Sequence, residues 1–241
     1  MPDLNALLAL ALVGVYVLDS AHFLAIGDAV LVTRRQRLRA VSFGSSFELA
    51  GRRPHFPNPL TPFWPELRIL WTSSLLDARE PNAATSEMLA LLRLTRPISL
   101  LASVSGLFIA LVGPVALAAG REVLFVVAAG VSFLFVAAAC VMLTVRRRAL
   151  GINWPQFVSM VFVALVCLPC AANLGRAVAR HRSWTVRAAD IPALGFDATA
   201  GDQNKQRVTA FLSQVRGLFP EGTSEYSALT NQLTLLERPR R

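Results

Sequence analysis

Lysine is almost absent. Of 24 basic residues only Lys205 is a lysine, and all the others are arginine. Asp and Glu are sparse too, 15 in all, so the chain carries a net charge of +9. Cysteine is scarce as well, with three in the chain. There is no P-loop, no HExxH, no pair of carboxylates at catalytic spacing and no internal repeat. Phosphate-cradling and zinc-hydrolase chemistry therefore have no recognisable carrier, and no metal or cofactor is expected. Met1-Pro2-Asp3-Leu4 lacks a positively charged leader, and no small-residue cleavage site follows. The first apolar run is thus expected to stay in the chain as an anchor.

Long apolar runs are abundant. Ile98–Ala119, Val123–Val145 and Phe157–Ala172 are blocks without charge, and Leu4–Val32 is mostly apolar but carries Asp19, His22 and Asp28. About 20 apolar residues cross a hydrocarbon core, and lipid favours such blocks. The pattern predicts an all-α integral membrane protein with four transmembrane helices, an interfacial cytoplasmic segment and a C-terminal helical hairpin. Heavy use of Arg, Ala, Leu and Val points to a GC-rich bacterial genome, hence a bacterial inner membrane. The basic excess reads as topology signalling and contact with anionic headgroups. Nucleic acid is not an expected partner.

Arginine sets the sidedness. Arg34, Arg35, Arg37 and Arg39 follow the first span, and Arg146, Arg147 and Arg148 end the third. Both clusters are expected inside. Residues 1–33 are then span one, 34–97 a cytoplasmic Pro/Arg-rich segment, and 98–175 spans two to four. Gly120-Arg121-Glu122 makes a tight turn between spans two and three. Four crossings put the C-terminus in the periplasm, although Arg176, Arg180, Arg182 and Arg187 run against that bias.

The segment 34–97 has internal order. Its stretch 54–65 holds five prolines and should be extended or turning. Phe56, Phe63, Trp64 and Trp71 suit a headgroup zone. Thr85 and Glu87 open an expected interfacial helix to Thr95, with Met88, Leu91, Leu92 and Leu94 apolar and Arg93 and Arg96 free to meet phosphates. Pro97 should open span two. Asn153-Trp154-Pro155 reads as the entrance to span four.

Residues 176–202 read as linker, and 203–241 as a helical hairpin and tail. Val208, Phe211, Leu212 and Val215 repeat at helical spacing after the candidate cap Asp202, and Tyr226, Leu229, Leu233 and Leu236 do so after Thr223. So short a hairpin buries too little to fold alone. It should dock on its own spans, a second copy or a protein partner.

Two constellations could carry chemistry. Asp19 and His22, three apart, would share one helix face with Val15 and Ile26, and a charge in mid-bilayer costs about 2.5–3.5 kcal/mol. The pair reads foremost as an interhelical hydrogen-bonding lock, and otherwise as a proton relay, a metal or haem ligand, or a substrate contact. Asp28 is expected to pair with Arg34 or Arg35. Cys167-Leu168-Pro169-Cys170 places two thiols one helical turn apart, as in thiol oxidoreductases. The companion pair such enzymes use is missing, since the remaining cysteine is Cys140. The competing reading is structural: Pro169 kinks span four while Cys170, Ala171, Ala172 and Gly175 let helices approach, as do Ser103, Ser105 and Gly106 in span two. His55 and His181 read as solvated, and Asn173 as a cross-helix hydrogen bonder.

The functional expectation is a non-catalytic accessory, assembly or scaffold subunit of a larger membrane complex. The alternatives are a thiol-disulfide oxidoreductase using Cys167 and Cys170, and a proton- or cofactor-handling protein using Asp19 and His22.

Overall fold

The computed structural model describes residues 4–34, 37–45, 47–72, 81–194 and 198–237. The chain divides into two compact units. One comprises Met1–His22, Phe56–Pro65 and Leu91–Arg182, and the other Phe23–His55, Glu66–Ala90 and Ser183–Arg241.

The second unit overturns the all-α expectation. Strands β1 (His22–Leu24), β2 (Asp28–Arg34), β3 (Arg37–Ser42), β4 (Arg53–His55), β5 (Glu66–Thr72) and β6 (Ser183–Arg187) form two sheets. One pairs β1 with β4, and the other has the order β3-β2-β5-β6. In it β2 is antiparallel to β3 and β5, while β6 joins β5 in parallel. Val30, Val32 and Thr33 are β-branched and stiff at χ1, which suits a pleated sheet better than a helix. The first apolar run therefore changes from helix to strand. Asp28 lies on β2, where its carboxylate takes Arg68 at 2.8 and 3.1 Å rather than Arg34 or Arg35. Arg34 is the register partner of Arg37 at the β2–β3 connection. Arg39 is on β3, and Arg35 lies outside the described residues.

Helices α7 (Ala198–Arg216) and α8 (Ser224–Glu237) make the hairpin. Val208, Phe211, Leu212, Val215, Leu229, Leu233 and Leu236 are buried as their spacing requires. The hairpin docks on its own unit. Phe211 stacks on Phe43 with ring centres 4.1 Å apart and meets Trp71 edge-on at 5.8 Å. The Asn204 side chain accepts from the Val41 N–H at 3.0 Å. Thr223 caps α8, accepting from the Tyr226 N–H, whereas Asp202 lies inside α7. At the α8 N-terminus the Glu225 carboxyl is held below its usual range by its own backbone N–H and by the Ser224 hydroxyl. Residues 183–193, read as linker, are β6 and a 3-10 helix, Ala188–Ala193.

The first unit is helical: α1 (Leu4–Ser20), most of α2 (Pro81–Ala118), α3 (Glu122–Leu150), α4 (Trp154–Val166), α5 (Leu168–Ala171) and α6 (Leu174–Arg180). Among the described residues two helices, Ala83–Ala118 and Glu122–Leu150, are long and apolar enough to cross a membrane. Four spans are not supported. At about 1.5 Å per residue, α4 with its 13 residues is about 20 Å long, short of a core of about 30 Å. It stops because Cys167 leaves helical geometry (φ −120°, ψ 88°) and Pro169 lacks the N–H that would continue the ladder.

Helix α2 runs through Pro97, which was expected to begin a new helix. Proline in a helix interior leaves the carbonyl four residues back, here that of Arg93, without its usual donor. Arg146 donates to the neighbouring Leu94 carbonyl at 2.8 Å, so one of the expected topology arginines binds the turn that precedes Pro97. Arg93 and Arg96 are exposed. Helices α2 and α3 are tied by reciprocal bonds: the Ser105 hydroxyl donates to the Ser132 carbonyl at 2.9 Å, and the Ser132 hydroxyl to the Ser105 carbonyl at 3.2 Å.

The segment after Cys167 turns back. A Cβ on Gly175 would lie 2.6 Å from Ser99 Cα, and one on Gly106 would lie 2.7 Å from Ala172 Cα. Residue numbers thus fall along α6 and α5 as they rise along α2, so the two run antiparallel. Helix α4 follows α3 after a tight turn. Its start is fixed by a capping box between Asn153 and Gln156, and by Arg147 over the Trp154 ring at 4.1 Å. Helices α4 to α6 therefore form a helix–break–helix hairpin. The four-residue α5, with Cys167 and Cys170, is its tip.

Candidate functional site

The polar groups of the helical unit converge on the return arm of this hairpin. Arg176 is 1% exposed, and its guanidinium donates to the carbonyls of Asn58 at 2.7 Å and Thr61 at 3.0 Å. It also donates to the Asn173 side-chain oxygen at 3.2 Å. The Asn173 amide in turn donates to Asp19 at 2.8 Å. Tyr16 donates its hydroxyl to the Pro59 carbonyl. One arginine thus ties α1, the proline-rich turns and α6 together. Prolines explain the available carbonyls, because a Pro-rich stretch has few N–H groups with which to pair them.

Asp19 and His22 do not form the expected pair. Helix α1 ends at Ser20, so His22 lies beyond it on β1. Asp19 goes to Asn173, and His22 meets Arg180. Arg176 and Arg180 carry much of this network, yet the sequence offered them only as exceptions to a charge bias. Their spacing of four in a run of small residues was the available signal.

Cys167 and Cys170 are joined as a disulfide, with Cα atoms 5.2 Å apart. That separation falls within the range of about 4.4–6.8 Å that the bond needs. Both residues are half-buried. Each borders a different cavity. Cys170 lines a space of about 180 Å³ together with Asp19, Asn173, Ser159 and Arg180. Cys167 lines an apolar cleft of about 530 Å³, walled also by Leu12, Val15, Ile109, Phe125 and Pro169. The smaller space is of mixed character, since Met160, Val163, Ala164, Leu174 and Ala177 line it beside the polar groups, whereas the larger one is apolar. Cys140 is free and buried on α3.

The mixed unit has a third group. His55, read as solvated, is buried. Its ring contacts the Ser42 hydroxyl through Nδ1 at 3.1 Å and the Glu66 carboxylate through Nε2 at 3.4 Å. This row joins β3, β4 and β5. His181, half-buried, donates to the Val178 carbonyl at the end of α6. The remaining expected topology residues sit at the end of α3, with Arg147 bonded to the Ile152 carbonyl and Arg148 exposed.

No family model, no curated protein and no solved structure matches this chain.

Proposed function

We propose that this chain is an integral protein of a bacterial cytoplasmic membrane whose Cys167–Cys170 pair is a thiol–disulfide redox centre. The membrane reading is supported by what the protein leaves uncovered. Only 39% and 28% of the most apolar stretches of the two long helices are buried by the chain itself, and Leu134 and Val145 are 70% and 79% exposed. A large exposed apolar surface needs an apolar cover, and lipid is the simplest one. Arg93, Arg96 and Arg148 then face anionic headgroups on the cytoplasmic side. Because α6 runs antiparallel to α4, the chain after α6 returns to the side of Arg146–Arg148. This favours a cytoplasmic C-terminus over the periplasmic one that four crossings imply.

The single observation carrying the redox reading is the pairing of the two cysteines at the hairpin tip, where Cys170 borders a space that Asp19, Asn173 and Arg180 also line. A packing role requires only two small side chains and no bond between them. In the exchange, an incoming thiolate attacks Cys170 Sγ from the space that Cys170 borders. The Cys167–Cys170 bond breaks and Cys167 leaves as thiolate. A second thiol of the donor then attacks the mixed disulfide and releases Cys170 reduced. The test is trapping. In Cys167→Ser the lone Cys170 thiolate attacks the disulfide form of the donor, forming a mixed disulfide and releasing the donor's other sulfur as a thiolate. With no Cys167 to displace it, this species should appear on a non-reducing gel of acid-quenched membranes. Cys170→Ser should show far less. Equal and negligible trapping in both variants would overturn the reading.

A structural subunit of a larger complex is the second reading. It is favoured by the polar network, in which Arg176, Asn173, Asp19 and Tyr16 serve one another or backbone carbonyls, as a lock would. A partner would meet the hairpin's outer face, where Leu218 and Leu235 are exposed. On this reading Cys167→Ala with Cys170→Ala leaves abundance and phenotype unchanged, and the full chain co-purifies with a protein partner in mild detergent.

A further inference from the structure

We propose that His22, His55 and Glu66 form a binding site for a divalent transition-metal ion of the zinc class. Two of the chain's three histidines meet here, on β1 and β4, beside the first residue of β5. One ligand atom from each of the three side chains lies within 4.8 Å of the other two. His55 and Glu66 are buried and His22 is half-buried. The donors are thus held on packed strands, not on loose surface chains.

The spacing is that of ligands sharing an ion. His55 Nε2 and Glu66 Oε2 are 3.4 Å apart, beyond the range of about 2.7–3.2 Å for an N–H···O bond. Two donors, each about 2.0–2.2 Å from one tetrahedral ion, lie about 3.3–3.6 Å from each other. The Ser42 hydroxyl, 3.1 Å from Nδ1, takes the other ring nitrogen of His55. Such a partner fixes a ligating ring and leaves the Nε2 lone pair for the ion. The donor set selects the class of ion. Imidazole nitrogen suits zinc and its neighbours, whereas calcium and magnesium ask for about six to eight oxygens. Three protein ligands leave a fourth position for water. Arg180 also contacts the His22 ring. A guanidinium can only donate, so the ring accepts from it, and the ion takes that lone pair by displacing Arg180.

The test uses the full-length protein in mild detergent, with no histidine tag and with Cys167 and Cys170 oxidised, after stripping with a chelator. The probes are Co²⁺, whose visible spectrum reports its ligands, and Zn²⁺. Wild type should bind one Co²⁺ per chain, which Zn²⁺ displaces, without the near-ultraviolet charge-transfer band of a thiolate ligand. His22→Gln and Glu66→Gln should each weaken binding at least tenfold, and Ser42→Ala about tenfold through the loosened ring. Zn²⁺ should raise the melting temperature of wild type but not that of His22→Gln. Should Glu66→Gln fail to fold, the half-buried His22 carries the comparison alone. Absence of binding by wild type at millimolar Co²⁺ and Zn²⁺ would overturn the proposal. Undiminished binding by His22→Gln would overturn it too, as would a charge-transfer band showing that cysteine holds the ion.

Discussion

Adding one methyl group at Gly106 probes the packing on which the hairpin tip depends. The new Cβ would lie 2.7 Å from Ala172 Cα and 3.1 Å from Ala172 N. These are backbone atoms and cannot rotate aside, so α5 must move away from α2. Forcing atoms into packed space costs about 1–3 kcal/mol, and alanine returns about 0.5–1 kcal/mol through its better helix propensity. A net loss of about 1–2 kcal/mol remains. At about 2–4 °C per kcal/mol for a chain of this length, the melting temperature in mild detergent should fall by about 2–8 °C. Gly130 supplies the control, because a Cβ there meets nothing within 4 Å. Gly130→Ala should melt at or slightly above wild type. A Gly106→Ala protein as stable as Gly130→Ala would refute the close antiparallel approach of α2 and the return arm.

The polar network makes further predictions. Asp19→Asn keeps an oxygen for the Asn173 amide and should leave abundance within about twofold, since a neutral hydrogen bond is worth only about 0.5–1.5 kcal/mol net; Asp19→Leu removes the acceptor and should lower abundance in membranes, as quantified by blotting. Arg176→Met strips the donor from the Asn58 and Thr61 carbonyls, and at about 1.5–3 kcal/mol for each bond to a charged group it should abolish accumulation of the folded protein, read as loss of a monodisperse peak in detergent. In the other unit, Phe211→Ala removes the ring between Phe43 and Trp71 and should cost about 3–5 kcal/mol, measured as early protease cleavage within the C-terminal hairpin.

The sequence carries some of this architecture openly and hides the rest for identifiable reasons. The α2–α3 turn at Gly120, the start of α4 at Asn153 and the buried seam of α7 and α8 depend on neighbours a few residues apart, and local spacing is enough to predict them. The sheet is different. Strand β6 pairs with β5 across more than a hundred intervening residues, as in the match of Ile69 with Trp184, and no local period announces such a partner. Val30 and Val32 were absorbed into an apolar run because a buried strand and a membrane helix look alike over a few residues. Pro97 was read as a helix start because the Arg146 donor that binds the turn before it lies 52 residues away. Within the candidate site the cysteine pair was visible from its spacing. Arg176 was not, because its acceptors are backbone carbonyls 115 and 118 residues distant, and carbonyls leave no mark in a sequence.

The most direct measurement on the redox account is a count of free thiols in native membranes. Cells are quenched in acid, the protein is denatured, and a heavy maleimide is added before and after reduction. The chain has three cysteines, and with Cys167 joined to Cys170 only Cys140 is free. The account predicts one adduct before reduction and three after it, with the unreduced sample shifting toward three when cells are fed a membrane-permeant dithiol and returning to one when it is washed out. Three adducts in untreated cells, or a single adduct that no dithiol challenge alters, would contradict it.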